Sequence, residues 1–195
     1  FRPDDELKRL ARKAVDSGVA DAFSAGDVEA TCEVLKGSSE GQAWIASFEE
    51  SAEPWFNFST GSGFYHHDKI CIENLEVPFE FIRNYIDKVQ SGEDLNRPVD
   101  AIRAERDRVV AEYTALLGSD EEKGEFEGKL GLARVVFPYV ENHNFYVEHW
   151  SHSVIWRKMR QLGETLVKEG FWSDADDIFY LKRTEVEDAL WDYYN

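Results

Sequence analysis

The 195 residues carry 22 Lys and Arg against 39 Asp and Glu, a formal charge of −17, with six Trp, eight Tyr and thirteen Phe. A chain of this length is most simply one domain with its own core, and the aromatics supply much of it. The acidic balance repels nucleic-acid phosphates and anionic lipid, and no stretch reaches the ~20 apolar residues of a membrane span, so neither nucleic acid nor membrane is expected as a partner.

The chain begins at Phe1 with a charged first turn, so no signal peptide is read there, and the chain is expected to be processed or cut from a longer one. Cys32 and Cys71 are far apart and fit two reduced thiols in a cytoplasmic protein. Cysteine and histidine spacings of zinc sites are absent.

The pattern is helical almost throughout, giving a mainly α fold: a single helical domain over 1–195, with one long helix near the C-terminus and a glycine-rich irregular segment around 55–70. Residues 4–15 place Leu7, Leu10, Ala11, Ala14 and Val15 on one face. Residues 25–35 form a second helix, and 40–50 a third that carries Trp44, Ile45 and Phe48 before Pro54 breaks the chain. From Val77 and Pro78 a helix resumes, with Phe79, Ile82, Tyr85, Ile86 and Val89 inward. Pro98 suits the first turn of the next helix, 101–117, whose Ile102, Val109, Tyr113 and Leu116 are expected to face inward. A further helix should end near Pro138, and the longest should run from about 141 to 169, closed by Gly170. "SDADDIFYL" reads as a turn and an extended piece, and 184–193 as a last helix with Thr184 as N-cap and Glu187 completing a capping box.

Two stretches are rich in chemistry. "FSTGSGFYHHDK" could present backbone N–H groups to a phosphate, or could be a turn needing positive φ at Gly61 or Gly63. It is not a Walker loop, because no Lys follows the second glycine where one is needed. His66 and His67 diverge on regular structure and do not chelate one ion comfortably. One of them, oriented by Asp68 or Glu73, could accept a proton, or His66 could simply cap a helix.

In "FPYVENHNFYVEHWSHSVIW", a helix at ~100° per residue puts Asn142, Tyr146, His149, Ser153 and Trp156 on one stripe, with Val147, Val154, Ile155 and Leu162 opposite. Facing inward, that stripe would line a cavity suited to a hydroxylated ring. His143 should lie near the helix N-terminus, where the dipole disfavours imidazolium and leaves a neutral proton acceptor. Glu141, Glu148 and His152 lack the HExxH spacing of a zinc helix, and no metal site is expected.

"ENHNFYVEHW" followed by "RKMRQLGETLVKEGFWSDADDIFYLKRTEVEDAL" resembles the segment that leads into the mobile phosphohistidine domain of phosphoenolpyruvate-utilising enzymes. The ending is carried here by Gly170, Asp174, Asp176, Asp177, Ile178, Phe179, Leu181 and Glu185. "WFNFSTGSGFYHHDK" with "VPFEFIRNYI" is similar to members associated with aromatic-compound catabolism, such as phenylphosphate synthase; rifampin phosphotransferase is another relative of this type. The resemblance implies a three-part machine: an ATP-binding domain phosphorylates a histidine on a swivelling domain, which delivers the phosphoryl group to an acceptor on a helical domain. The mobile-domain histidine motif and the ATP-grasp domain have no counterpart here. The resemblance therefore implies an acceptor-binding domain that binds no cofactor itself and does not turn over ATP alone. ATP and Mg²⁺ are expected on the domain or subunit that is missing.

On this reading the acceptor is a small hydroxylated aromatic. Its proton would pass to His143, His66, His67 or His149, with His143 placed first. Arg134 and Lys69 would meet the phosphate, and Trp55, Phe56, Phe64, Tyr65, Tyr146 and Trp156 would form the walls beside Asn142 and Ser153. The alternative is a non-catalytic helical linker or docking module of such an enzyme, with the aromatics as core and the histidines on the surface.

Overall fold

The computed structural model describes residues 2–61 and 66–194, with backbone only at 193–194, so the expectations for Gly63, Phe64 and Tyr65 lie outside the described residues. The fold is mainly α. Extended pairing among the described residues is confined to an antiparallel bridge between Ser59 and Ile70.

The N-terminal half packs four helices: α1 (Arg2–Asp16), α2 (Val28–Lys36), α3 (Ser39–Trp55) and α4 (Glu76–Gln90). A short 3₁₀ turn, Ala20–Ala25, supplies Phe23. Asp27 and Ser38 cap α2 and α3 through the N–H groups of Ala30 (2.8 Å) and Gly41 (3.0 Å). Trp44 sits at the centre, fully buried. Its indole N–H donates to the Leu10 carbonyl (2.9 Å), its ring meets Phe23 edge-on at 4.9 Å and it stacks on Phe48 at 5.7 Å. Leu10, Ala11, Phe79, Ile82 and Ile86 close the cluster, as the spacing on α1 and α4 predicts. α2 and α3 approach so closely at Gly41 that a Cβ there would collide with the Leu35 backbone.

Near its end α3 gives way. Glu53 adopts φ −107° and ψ 118°, the extended geometry that a following proline favours. The chain then doubles back: the Thr60 N–H donates to the Lys69 carbonyl (2.8 Å) and the Cys71 N–H to the Phe58 carbonyl (2.9 Å). Gly61 does not adopt positive φ; Gly63, the other position expected to, lies outside the described residues. It is tight for another reason, because a Cβ there would collide with the Asp68 carboxylate.

The second half departs further from the sequence reading. α5 (Val99–Ala115) and α6 (Asp120–His143) bury no residue, so Ile102, Tyr113 and Leu116 face water instead of a core. No described residue buries their apolar stripe. Pro138 does not end α6. The proline ring removes one backbone donor, which would have bonded the residue four back, and the helix runs on into a π segment, Asn144–Ser151, and then α7 (His152–Lys168). The long helix therefore starts at Asp120, not near 141. Gly170, at φ +79°, follows its end as expected.

"ADDIFY" forms a 3₁₀ turn, Ala175–Tyr180, in place of an extended piece. It packs on α7 through Gly163, where a Cβ would collide with the Ala175 carbonyl. α8 (Arg183–Tyr194) begins one residue before Thr184. Its first turn is satisfied by the Lys182 N–H donating to Glu185 (2.7 Å), so the expected Thr184/Glu187 cap lies out of register.

Candidate functional site

Residues 56–61 and 66–73 lie against the inward face of α7 through Asn57, Phe58, His66 and Glu73. That face is the polar and aromatic stripe: Ser153, Arg160, Gly163 and Leu166 are buried, with His149 and Trp156 half-buried. The opposite side, read as the apolar one, stays in water at Val147 and Ile155. The π segment explains part of the difference. Its wider turn takes more residues per revolution, so Asn142 and Tyr146 do not stay in line with Ser153 and remain exposed.

Arg160 holds the seam. It is 8% exposed, pairs with Glu73 (2.9 Å) and Asp176 (3.5 Å), donates to the His66 carbonyl, and lies over the Phe179 ring at 5.7 Å. One guanidinium thus ties the loop, α7 and the 3₁₀ turn together, as its planar five-donor fork allows. Arg157 adds a second tie, donating to Glu53 (2.8 Å) and to the buried Asn57 (3.0 Å). Sequence reasoning missed both arginines. Positions 149, 153, 156, 160 and 163 continue the inward stripe at steps of four and three, a signal that could have found Arg160.

His66 stacks on Phe179 at 4.5 Å and meets Trp156 edge-on at 6.4 Å, while His149 lies 4.7 Å from Phe58. The loop and the C-terminal helix, the two chemistry-rich stretches, are therefore neighbours. His67 is exposed, 3.6 Å from Asp68. His143 is not at a helix N-terminus, because α6 runs through it into the π segment. It sits beside Tyr139 (6.3 Å) and Glu148 (3.7 Å), so the expected dipole effect does not apply. Arg134 and Lys69 are exposed, Arg134 on α6 and Lys69 on the return of the loop. Among the described residues no three His, Cys, Asp or Glu side chains gather as a metal site would require. His152 Nδ1 and the indole N–H groups of Trp156 and Trp172 are enclosed with no hydrogen-bond partner among the described residues.

Two cavities flank the seam. One of about 600 Å³ opens between the start of α1, the end of α3 and the start of α4. Trp55, Phe58 and Phe81 wall it, and Ser59, Thr60 and Arg97 supply polar groups at its rim. The other, of about 550 Å³, lies over Tyr146, Trp150, Arg157 and Lys158. No histidine lines either.

Burial sets the protonation of the groups nearby. It pushes the Cys71 thiol up to about 11, so this cavity-wall sulfur stays protonated and unreactive. Burial also lowers His149, helped by His152 and opposed by Glu148, so its imidazole stays neutral near pH 7. Tyr85 is pushed up to about 12 by burial and by its hydrogen bond to Asp4. For Asp4, burial acts upward but is outweighed by hydrogen bonds from Lys8 and Tyr85, which hold the carboxyl below its usual range. No family model, curated protein or solved structure matches this chain.

Proposed function

We propose that this chain is the acceptor-binding part of a phosphotransferase of the phosphoenolpyruvate-utilising type, and that it holds a small hydroxylated aromatic in the cavity between α1, α3 and α4. The observation that carries the reading is that cavity: about 600 Å³, walled by Trp55, Phe58 and Phe81 and rimmed by Ser59, Thr60 and Arg97. Aromatic walls with a few convergent polar groups are what a small ring with one hydroxyl requires. Phosphoryl transfer asks the protein for alignment, charge neutralisation and a proton acceptor. The Ser59 and Thr60 hydroxyls orient the acceptor oxygen, and Arg97 meets the incoming phosphoryl oxygens as a planar donor.

A phenol titrates near ~10, so it needs a base as it attacks. His149, whose ring lies 4.7 Å from that of the cavity-wall Phe58, is the candidate base. The phosphoryl group itself comes from ATP through a phosphohistidine, both on other domains or subunits.

Isothermal calorimetry of the chain with phenol and 4-hydroxyacetophenone tests this. Saturable binding that is lost in Trp55→Leu and Phe81→Ala supports the site. A folded chain that binds no phenol sinks the reading.

A further inference from the structure

A third cavity, of about 400 Å³, lies between α1 and the turn that joins α4 to α5. Lys8 and Arg12 of α1 line it together with Asn96 and Arg97 of the turn. Leu95 within the turn is buried, and the Asn96 N–H donates to the Asp94 carboxylate (2.9 Å), so this wall is held in place. Arg12 donates to the Asn96 side-chain oxygen (3.1 Å). That bond orients the amide and leaves its NH₂ group as a further donor. Lys8 pairs with Asp4 (2.6 Å), but neither Arg12 nor Arg97 pairs with a carboxylate among the described residues. Asp5 is the acid among the described lining residues, set against these three cations. In a chain carrying −17, one cavity thus keeps two guanidinium charges that its own acids do not meet.

We propose that this cavity binds a small phosphate dianion, held by Arg12 and Arg97 with Asn96 and Lys8 beside it. Its volume falls at the lower end of the ~300–1,000 Å³ of ligand cavities. A guanidinium is a planar fork that meets two oxygens of one anion. Two such forks and an amide donor offer more hydrogen bonds than the two oxygens of a carboxylate accept well. A phosphate monoester presents three strong acceptor oxygens and close to two negative charges. Free phosphate and a phosphate monoester share this chemistry. The inference does not rest on the acceptor reading, because Arg97 alone among the described residues is common to the two cavities.

Calorimetric titration of the 195-residue chain with inorganic phosphate and with methyl phosphate tests it, at low salt because surface charges are screened. The expected result is saturable binding whose dissociation constant rises at least ~10-fold in Arg12→Gln and in Arg97→Gln, the scale of one lost charge-assisted hydrogen bond. Arg97 is exposed, so circular dichroism should show its variant folded even where losing the Arg12–Asn96 bond loosens the turn. Saturation by either probe supports the site, and the pair of titrations says whether an ester group is accommodated. No saturable binding of either probe overturns the proposal, as does binding indifferent to both arginines. Succinate binding as tightly as phosphate overturns it too. So does an equal loss in Lys168→Gln, since Lys168 lines neither cavity and such a loss would report net charge alone. Titrating Arg12→Gln with phenol reads the acceptor cavity separately, because Arg12 does not line it.

Discussion

Residues 2–90 and residues 99–143 are both helical with apolar residues at helical spacing, yet one region buries its stripes and the other buries none. In the first, Trp44 gathers Leu10, Phe23, Phe48 and Phe79 into one cluster. In the second, the helices rest on local devices. Ser119 and Glu122 make a capping box, Lys129 pairs with Glu125 (2.6 Å), and Arg108 pairs with Glu105 (2.6 Å) and Glu112. Such pairs contribute ~0.2–0.5 kcal/mol each, and the packing of an apolar face that supplies most helix stability in folded proteins is missing from these two helices. Periodicity therefore says which face is apolar, but not whether anything covers it.

The contrast can be broken most directly at Trp44. Trp44→Ala should lower the stability of the packed half by ~3–5 kcal/mol, through lost burial and a cavity. Denaturant unfolding measures it, and a loss below ~1 kcal/mol would mean that this cluster is not the core.

The seam comes next. Arg160→Met should cost ~2–3 kcal/mol, because Glu73 keeps its partly buried charge with only the Ile70 N–H (3.2 Å) donating to it; Glu73 is not fully enclosed, so the figure stays below that of a deep pair. The same variant should raise amide exchange in 66–73, which a purely local role on α7 would leave unchanged.

A smaller effect is expected from pH. Because burial lowers His149 in the folded state, the unfolded chain takes up its proton first as pH falls. The stability is complete above about 6.5, the ordinary value, and declines as pH drops toward the lowered folded value. His149→Phe should flatten unfolding midpoints between about pH 7 and 5; an unchanged slope would assign the pH dependence to another group.

The smallest effect belongs to the end of α5. Leu116→Gln should leave stability within ~0.5 kcal/mol, since its side chain is 80% exposed and touches no core. A loss above ~1 kcal/mol would show that α5 is packed in solution.

Much of the packed half was legible. Leu10, Ala11 and Ala14 on α1, Trp44 and Phe48 on α3, and Phe79, Ile82 and Ile86 on α4 are buried where their spacing placed them. The candidate site was legible in pieces only. The loop and the C-terminal helix do adjoin, through Phe58 with His149 and His66 with Trp156. Ring contact between residues some ninety positions apart leaves no periodic trace, so neither partner could be named in advance. His143 was misplaced because Pro138 was read as a helix end, and a helix can run through a proline by giving up a single hydrogen bond.

The amino-acid sequence by itself determined the helices of the packed half, their apolar faces and the break in α3 at Pro54, because propensity, capping and proline chemistry act within a few residues. Tertiary structure alone decided which faces are covered and that Arg160 binds three elements at once. Those outcomes depend on contacts between distant parts of the chain, whose energies no local pattern encodes.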